Sequence, residues 1–146
     1  MTNLCLAWID YKKAFDMVPH SWLLDCLRLY NITPKLIEML SKSMKHWKTS
    51  LTAGGTTLGE INIRRGIFQG DSLSPILFVL ALIPLSKLLN DMKDGYHLGK
   101  NRPKVNHLLY MDDLKLYAKD KKELDTLTQT VRVFSKDIGM DFGSEK

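Results

Sequence analysis

The chain has 146 residues, one domain's worth, enough to bury a single core. Its 45% hydrophobic and 25% charged residues are those of an ordinary globular protein, which excludes a disordered tail or a fibrous repeat. A net charge of +5 favours polyanions such as nucleic acid, and two cysteines are too few for a disulfide framework or a zinc site.

In chain order, Leu4 to Ile9 is an uninterrupted apolar run, which predicts a strand buried on both faces. Leu23, Cys26, Leu27 and Tyr30 then recur at helical spacing. Thr33 and Pro34 open a second helix as N-cap and first helical residue, with Leu36, Ile37, Leu40 and Met44 as its inner stripe. Gly54-Gly55, between TSLTA and GEINIRR, predicts a hairpin in which Ile61 and Ile63 alternate against Glu60, Asn62 and Arg64. Ser74 and Pro75 start an apolar helix running to about Asn90. Pro84 inside it removes a bond to the Leu80 carbonyl and predicts a kink. Residues 93–104 read as a charged, glycine-containing loop.

Residues 108–117, LLYMDDLKLY, read as a hairpin with Leu114, Leu116 and Ala118 sharing one face. Leu124, Leu127, Val131, Phe134 and Ile138 form a last amphipathic helix, closed by Gly139, and MDFGSEK reads as a final strand. Strands interleaved with helices, including two hairpins, predict an α+β fold: an antiparallel sheet with helices packed on one face. The opening MTNLCLAWID has no basic start, so no secretory leader is read there. PILFVLALIPL is too short to span a bilayer, so no membrane is expected. Cys5 and Cys26 lie in segments that read as buried, and an intracellular location is expected.

Chemistry is suggested by three carboxylates. Asp10 ends an apolar strand, where an unpaired charge is costly unless it is exposed, paired or metal-bound. Asp112 and Asp113 occupy a tight turn with no glycine beside them, against the usual turn preference. If the first strand lies beside the hairpin, the three converge, and a hard divalent cation such as Mg²⁺ would offset their repulsion. The segment RRGIFQGDSLSP leads into a helix through Gly66 and Gly70, glycines that permit close backbone approach to a ligand.

The ordered set WIDYKKAFDMV, RRGIFQGDSLSPILF and YMDD closely resembles the motifs of a reverse transcriptase, most of all the non-long-terminal-repeat retrotransposon type. The closing GMDFGSEK resembles that family's fourth palm motif, and the likeness runs from Leu4 to Lys146. It departs from the pattern at Met111, where these retrotransposons usually have alanine, and at Gly143, where asparagine is common. The resemblance implies that residues 1–146 are a reverse transcriptase domain in the form of a palm fragment, with fingers and thumb largely missing. It implies that Asp10, Asp112 and Asp113 are catalytic and hold two Mg²⁺ ions, for which Mn²⁺ can substitute. The Tyr11 carbonyl would lie near metal and triphosphate. Phe15 falls at the family's steric gate against a ribose 2′-hydroxyl. Gln69 and Gly70 match the loop against the incoming nucleotide and templating base, Arg65 a phosphate or template contact, and Lys146 the lysine that helps protonate pyrophosphate.

The partners implied are an RNA template, a DNA primer and deoxynucleoside triphosphates. Self-association through uncovered palm surface is also expected. On this reading the chain carries the two-metal nucleotidyl-transfer site of an RNA-directed DNA polymerase and is inactive alone. The alternative is a non-catalytic remnant of a truncated retroelement that binds nucleic acid weakly.

Overall fold

The computed structural model of the chain describes residues 3–99 and 102–140. In order, the elements are β1 (Cys5–Asp10), α1 (Ala14–Met17), α2 (His20–Leu29), α3 (Pro34–Lys45), β2 (Lys48–Ala53), β3 (Thr56–Asn62), α4 (Ser74–Asp91), β4 (Tyr96–His97), β5 (Lys104–Val105), β6 (His107–Tyr110), β7 (Asp113–Ala118) and α5 (Lys121–Asp137). β1, β7 and β6 form an antiparallel sheet in that order, while β2–β3 and β4–β5 pair separately. The expected final strand falls mostly on residues 141–146, outside the described residues.

Register decides which face of the sheet is covered. Ile9 pairs with Leu114, Ala7 with Leu116 and Cys5 with Ala118, and Leu114 in turn pairs with Leu109 of β6. This face lies against α4 and α5. α4 is the central helix: Leu77, Phe78, Ala81, Leu82, Leu85 and Leu89 are all buried, each large side chain contributing about 1.5–3 kcal/mol. α2 packs on α4 and α3 on α2. The α+β arrangement with helices on one face of an antiparallel sheet is therefore present.

Four expectations need correction. β1 is not buried on both faces: Leu4, Leu6 and Trp8 are exposed, because helices cover only the side that carries Ala7 and Ile9. Leu36 is exposed as well, since only Ile37, Leu40 and Met44 of α3 turn toward the core. Ile61 of the Gly54-Gly55 hairpin is exposed, and every residue of β2 and β3 faces solvent. Its turn is built as expected, both glycines having positive φ. The segment 93–104 is not wholly loop, since Tyr96 pairs with Val105 and His97 with Lys104.

Caps behave unevenly. Thr33 occupies the N-cap position of α3, yet its hydroxyl makes no cap bond, and only its carbonyl accepts the Leu36 and Ile37 amides. At α5 the Asp120 carboxylate accepts the Glu123 amide at 2.9 Å, a side-chain cap that the periodicity did not reveal. Gly139 ends α5 with φ +75°, and the Met140 amide returns to the Ser135 carbonyl. α4 runs unbroken through Pro84. By length and composition α4 as a whole is apolar enough to cross a membrane, but its buried stripe makes it the core helix of this fold.

Candidate active site

The open face of the sheet carries the carboxylates. Successive residues alternate between faces, so with Ile9 and Leu114 turned inward, Asp10 and Asp113 turn outward. The two are direct cross-strand partners, and Tyr110 of β6 lies opposite Asp113 on its other side. Asp112 follows Met111 in the two-residue turn between β6 and β7. Met111 has φ +52°, a left-handed conformation that glycine normally supplies. The sequence places a strained, bulky residue here and keeps both aspartates at the tip. Among the described residues, none of the three carboxylates has an ion-pair or hydrogen-bonding partner.

An oxygen-only donor set of this kind fits a hard divalent cation. Among the described residues, though, no three acidic, histidine or cysteine side chains are gathered closely enough to hold a metal ion. Asp10 and Asp113 are brought together by strand register; Asp112 is beside them by sequence.

Next to this edge the chain turns through residues 11–20. Tyr11 is buried, and its hydroxyl lies 2.9 Å from Ser135 Oγ of α5. Burial raises its pKa, a shift the Ser135 hydrogen bond partly offsets. The Tyr11 ring is thus an anchor, leaving its backbone as the part nearest Asp10. Phe15 is half-buried and stacks on Phe78 of α4, ring centres 4.8 Å apart and planes within 8°. The segment after Phe15 is zipped to the start of the glycine loop. The Gly66 amide donates to the Val18 carbonyl at 2.8 Å and the Ile67 amide to the Phe15 carbonyl at 2.9 Å. A Cβ on Gly66 would stand 2.8 Å from the Asp16 carbonyl oxygen, so the close approach this glycine allows is to its own chain. Phe68 packs on Trp47, while Gln69 and Gly70 stand exposed at the loop tip with open space around Gly70.

The family model described as "Reverse transcriptase (RNA-dependent DNA polymerase)" matches residues 2–146. The chain belongs to the reverse transcriptase family. Several of its relatives are retrotransposon proteins, in keeping with the non-long-terminal-repeat type. It is 31% identical over 138 residues to a "Retrovirus-related Pol polyprotein from type-1 retrotransposable element R2" of Popillia japonica, covering 94% of this chain and 23% of that protein. It is 29% identical over 141 residues to the Pol polyprotein of type-2 element R2DM of Drosophila melanogaster, covering 97% of this chain and 13% of that one. This reverse transcriptase chain thus spans less than a quarter of the length of either relative. In structure it is similar to the apo telomerase of Candida tropicalis, with TM-score 0.73 at 14% identity over 98% of this chain and 28% of that one. The same telomerase in complex with a fragment of telomeric RNA gives 0.69, covering 96% and 25% of the respective chains. At such identity the likeness shows the fold, a reverse transcriptase palm core.

Within this palm, strand register brings Asp10 to Asp113, with Asp112 in the adjoining turn, while the Tyr11 and Phe15 side chains pack on α5 and α4 respectively. Lys146 lies outside the described residues. Arg65 is turned onto backbone carbonyls. Two participants escaped the sequence reading. Phe78 stacks on Phe15 from α4, but in a run of apolar residues nothing marks it out. Trp8, 66% exposed, shares the carboxylate face and carries Lys115 Nζ at 5.9 Å from its ring centre. Its position two residues before Asp10 would have placed it there by strand alternation alone.

Proposed function

We propose that this chain carries the nucleotidyl-transfer centre of an RNA-directed DNA polymerase, working within a longer retrotransposon polyprotein. The observation that carries this reading is the meeting of Asp10 with the Asp112-Asp113 turn on an open sheet edge, with no ion pair to any of the three among the described residues. Like charges so placed need a counter-ion, and Asp10, Asp112 and Asp113 would hold two Mg²⁺ ions, with Mn²⁺ as a substitute. When bound, such a pair lowers the barrier to attack by a primer 3′-hydroxyl and stabilises charge on the departing pyrophosphate.

The chain's own residues do the rest. The Tyr11 backbone carbonyl, next to Asp10 in the chain and held by the buried ring, would lie near metal and triphosphate. Phe15, backed by Phe78, closes the space beneath the sugar and selects against a ribose 2′-hydroxyl. Gln69 and Gly70 approach the nascent base pair, and Lys146 hands a proton to pyrophosphate. The partners are an RNA template, a DNA primer and deoxynucleoside triphosphates; the telomeric RNA held by a telomerase of the same fold supports an RNA partner. A net charge of +5 supports the same. The exposed Leu4, Leu6, Trp8, Leu108 and Tyr110 form an apolar surface through which isolated copies self-associate. The location is intracellular.

Binding of a fluorescent deoxynucleoside triphosphate to the purified chain, followed by anisotropy with Mn²⁺, tests the reading. We expect metal-dependent binding that weakens tenfold or more in Asp112→Asn, on the order of one charge-assisted contact. Equal binding by the variant, or by the unmutated chain in chelator, would overturn it.

A further inference from the structure

Arg65 belongs to the glycine-loop motif and is exposed, yet its guanidinium is engaged within the fold. Nη2 donates to the Met17 carbonyl at 3.1 Å and to the Gly139 carbonyl at 2.5 Å, acceptors 48 and 74 residues away along the chain. A guanidinium that grips phosphate offers its N–H fork outward. Here one terminal nitrogen is shared between two backbone oxygens. The Gly139 carbonyl lies just past the C-terminal end of α5, near the unsatisfied carbonyls of its last turn, whose partial negative charge favours a cation.

The surroundings extend the same pattern. Arg65 itself forms an isolated antiparallel bridge with Pro19. Gly66 and Ile67 bond to Val18 and Phe15, and His20 Nε2 lies 2.8 Å from the Gly66 carbonyl. Three distant segments thus meet at one side chain: residues 15–20 with the gate, residues 64–70 with the loop, and residues 138–140 that lead toward Lys146.

We infer that Arg65 is a positioning residue, a clasp that sets these three segments in register, and that it does not contact phosphate or template. The inference rests on reading Phe15, Gln69 and Gly70 as the nucleotide-contacting group. Its test therefore has one arm that does not need that reading. Lysine is a poor replacement, since its hydrated ammonium lacks the planar fork; Arg64, next in sequence, makes neither of these bonds and serves as the comparison.

In the purified chain, amide hydrogen exchange is compared for Arg65→Met, Arg65→Lys and Arg64→Met. Exchange at Gly66, Ile67 and Met140 rises about tenfold or more in both Arg65 variants, the scale of a lost hydrogen bond from a charged donor, and not in Arg64→Met. The second arm measures the ratio of deoxynucleotide to ribonucleotide affinity with Mn²⁺. That ratio falls in Arg65→Met as the gate loses its position. A phosphate contact predicts the opposite: exchange unchanged, both affinities lowered equally, and near-complete rescue by lysine. If the unmutated chain binds no nucleotide, the functional reading fails, and exchange alone decides the clasp. Should Arg65→Met not fold, Arg65→Lys carries both readouts.

Discussion

Asp113 stands directly opposite Asp10 in an antiparallel pair, and neither forms an ion pair among the described residues. Like charges in that relation destabilise a sheet by about 0.2–1 kcal/mol. A residue that lowers stability where asparagine would serve the fold better has been placed for another purpose. Asp113→Asn should therefore raise the melting temperature in metal-free buffer, by roughly 2–4 °C per kcal/mol for a domain of this size. Scanning calorimetry in chelator checks this, and a lower melting temperature in the variant would show that the pair is not repulsive. At this scale the sequence was informative about carboxylates and silent about partners. Asp10, Asp112 and Asp113 could be picked out because charge at a strand end or bare turn is costly wherever it sits. Phe78 could not, and Arg65 was read only as a phosphate or template contact, because what they do depends on Phe15 and Gly139, distant in the chain and close only after folding.

Between elements, a polar chain ties α4 to β6. Asn106 is buried, and its amide nitrogen donates to the Leu89 carbonyl at 2.5 Å and the Asp94 carbonyl at 3.3 Å. That fixes Asn106 Oδ1 as acceptor for His107 Nδ1–H at 2.8 Å, leaving His107 Nε2 to accept from the Ser86 hydroxyl at 2.7 Å. Burial lowers the His107 pKa from its ordinary 6.5. The unfolded chain then binds the proton more readily, so this group's contribution to stability is complete above 6.5. It declines as pH falls through 6.5 toward the depressed folded value, and levels off below that. His107→Gln should flatten the dependence of unfolding free energy on pH across about pH 7.5 to 5.5, measured by urea titration. An unchanged slope would mean that His107 takes up its proton in place. The elements themselves were largely legible: the predicted start of α4 at Ser74 is its observed start, and Gly139 closes α5. β1 misled, because an unbroken apolar run cannot distinguish a strand covered on both sides from one with Leu4, Leu6 and Trp8 on an open face.

Taken whole, the molecule puts its core on one side of a three-stranded sheet and its unpaired carboxylates on the other, beside exposed Trp8 and the 77%-exposed Tyr110. The order of the three motifs resembled that of the family, but it did not say which face of β1 is covered. Register conveyed what motif order could not: Asp10 faces Asp113, while Asp112 occupies the turn. The central claim, that this edge exists to hold divalent cations for nucleotidyl transfer, has a direct test. The melting temperature of the chain is measured against Mn²⁺ concentration, beside Asp112→Asn, whose side chain makes no hydrogen bond or ion pair among the described residues. A ligand at one hundred times its dissociation constant stabilises the native state by about 2.7 kcal/mol. The account predicts a saturating rise of several degrees for the unmutated chain and its loss in the variant. No rise, or the same rise in both, would contradict it.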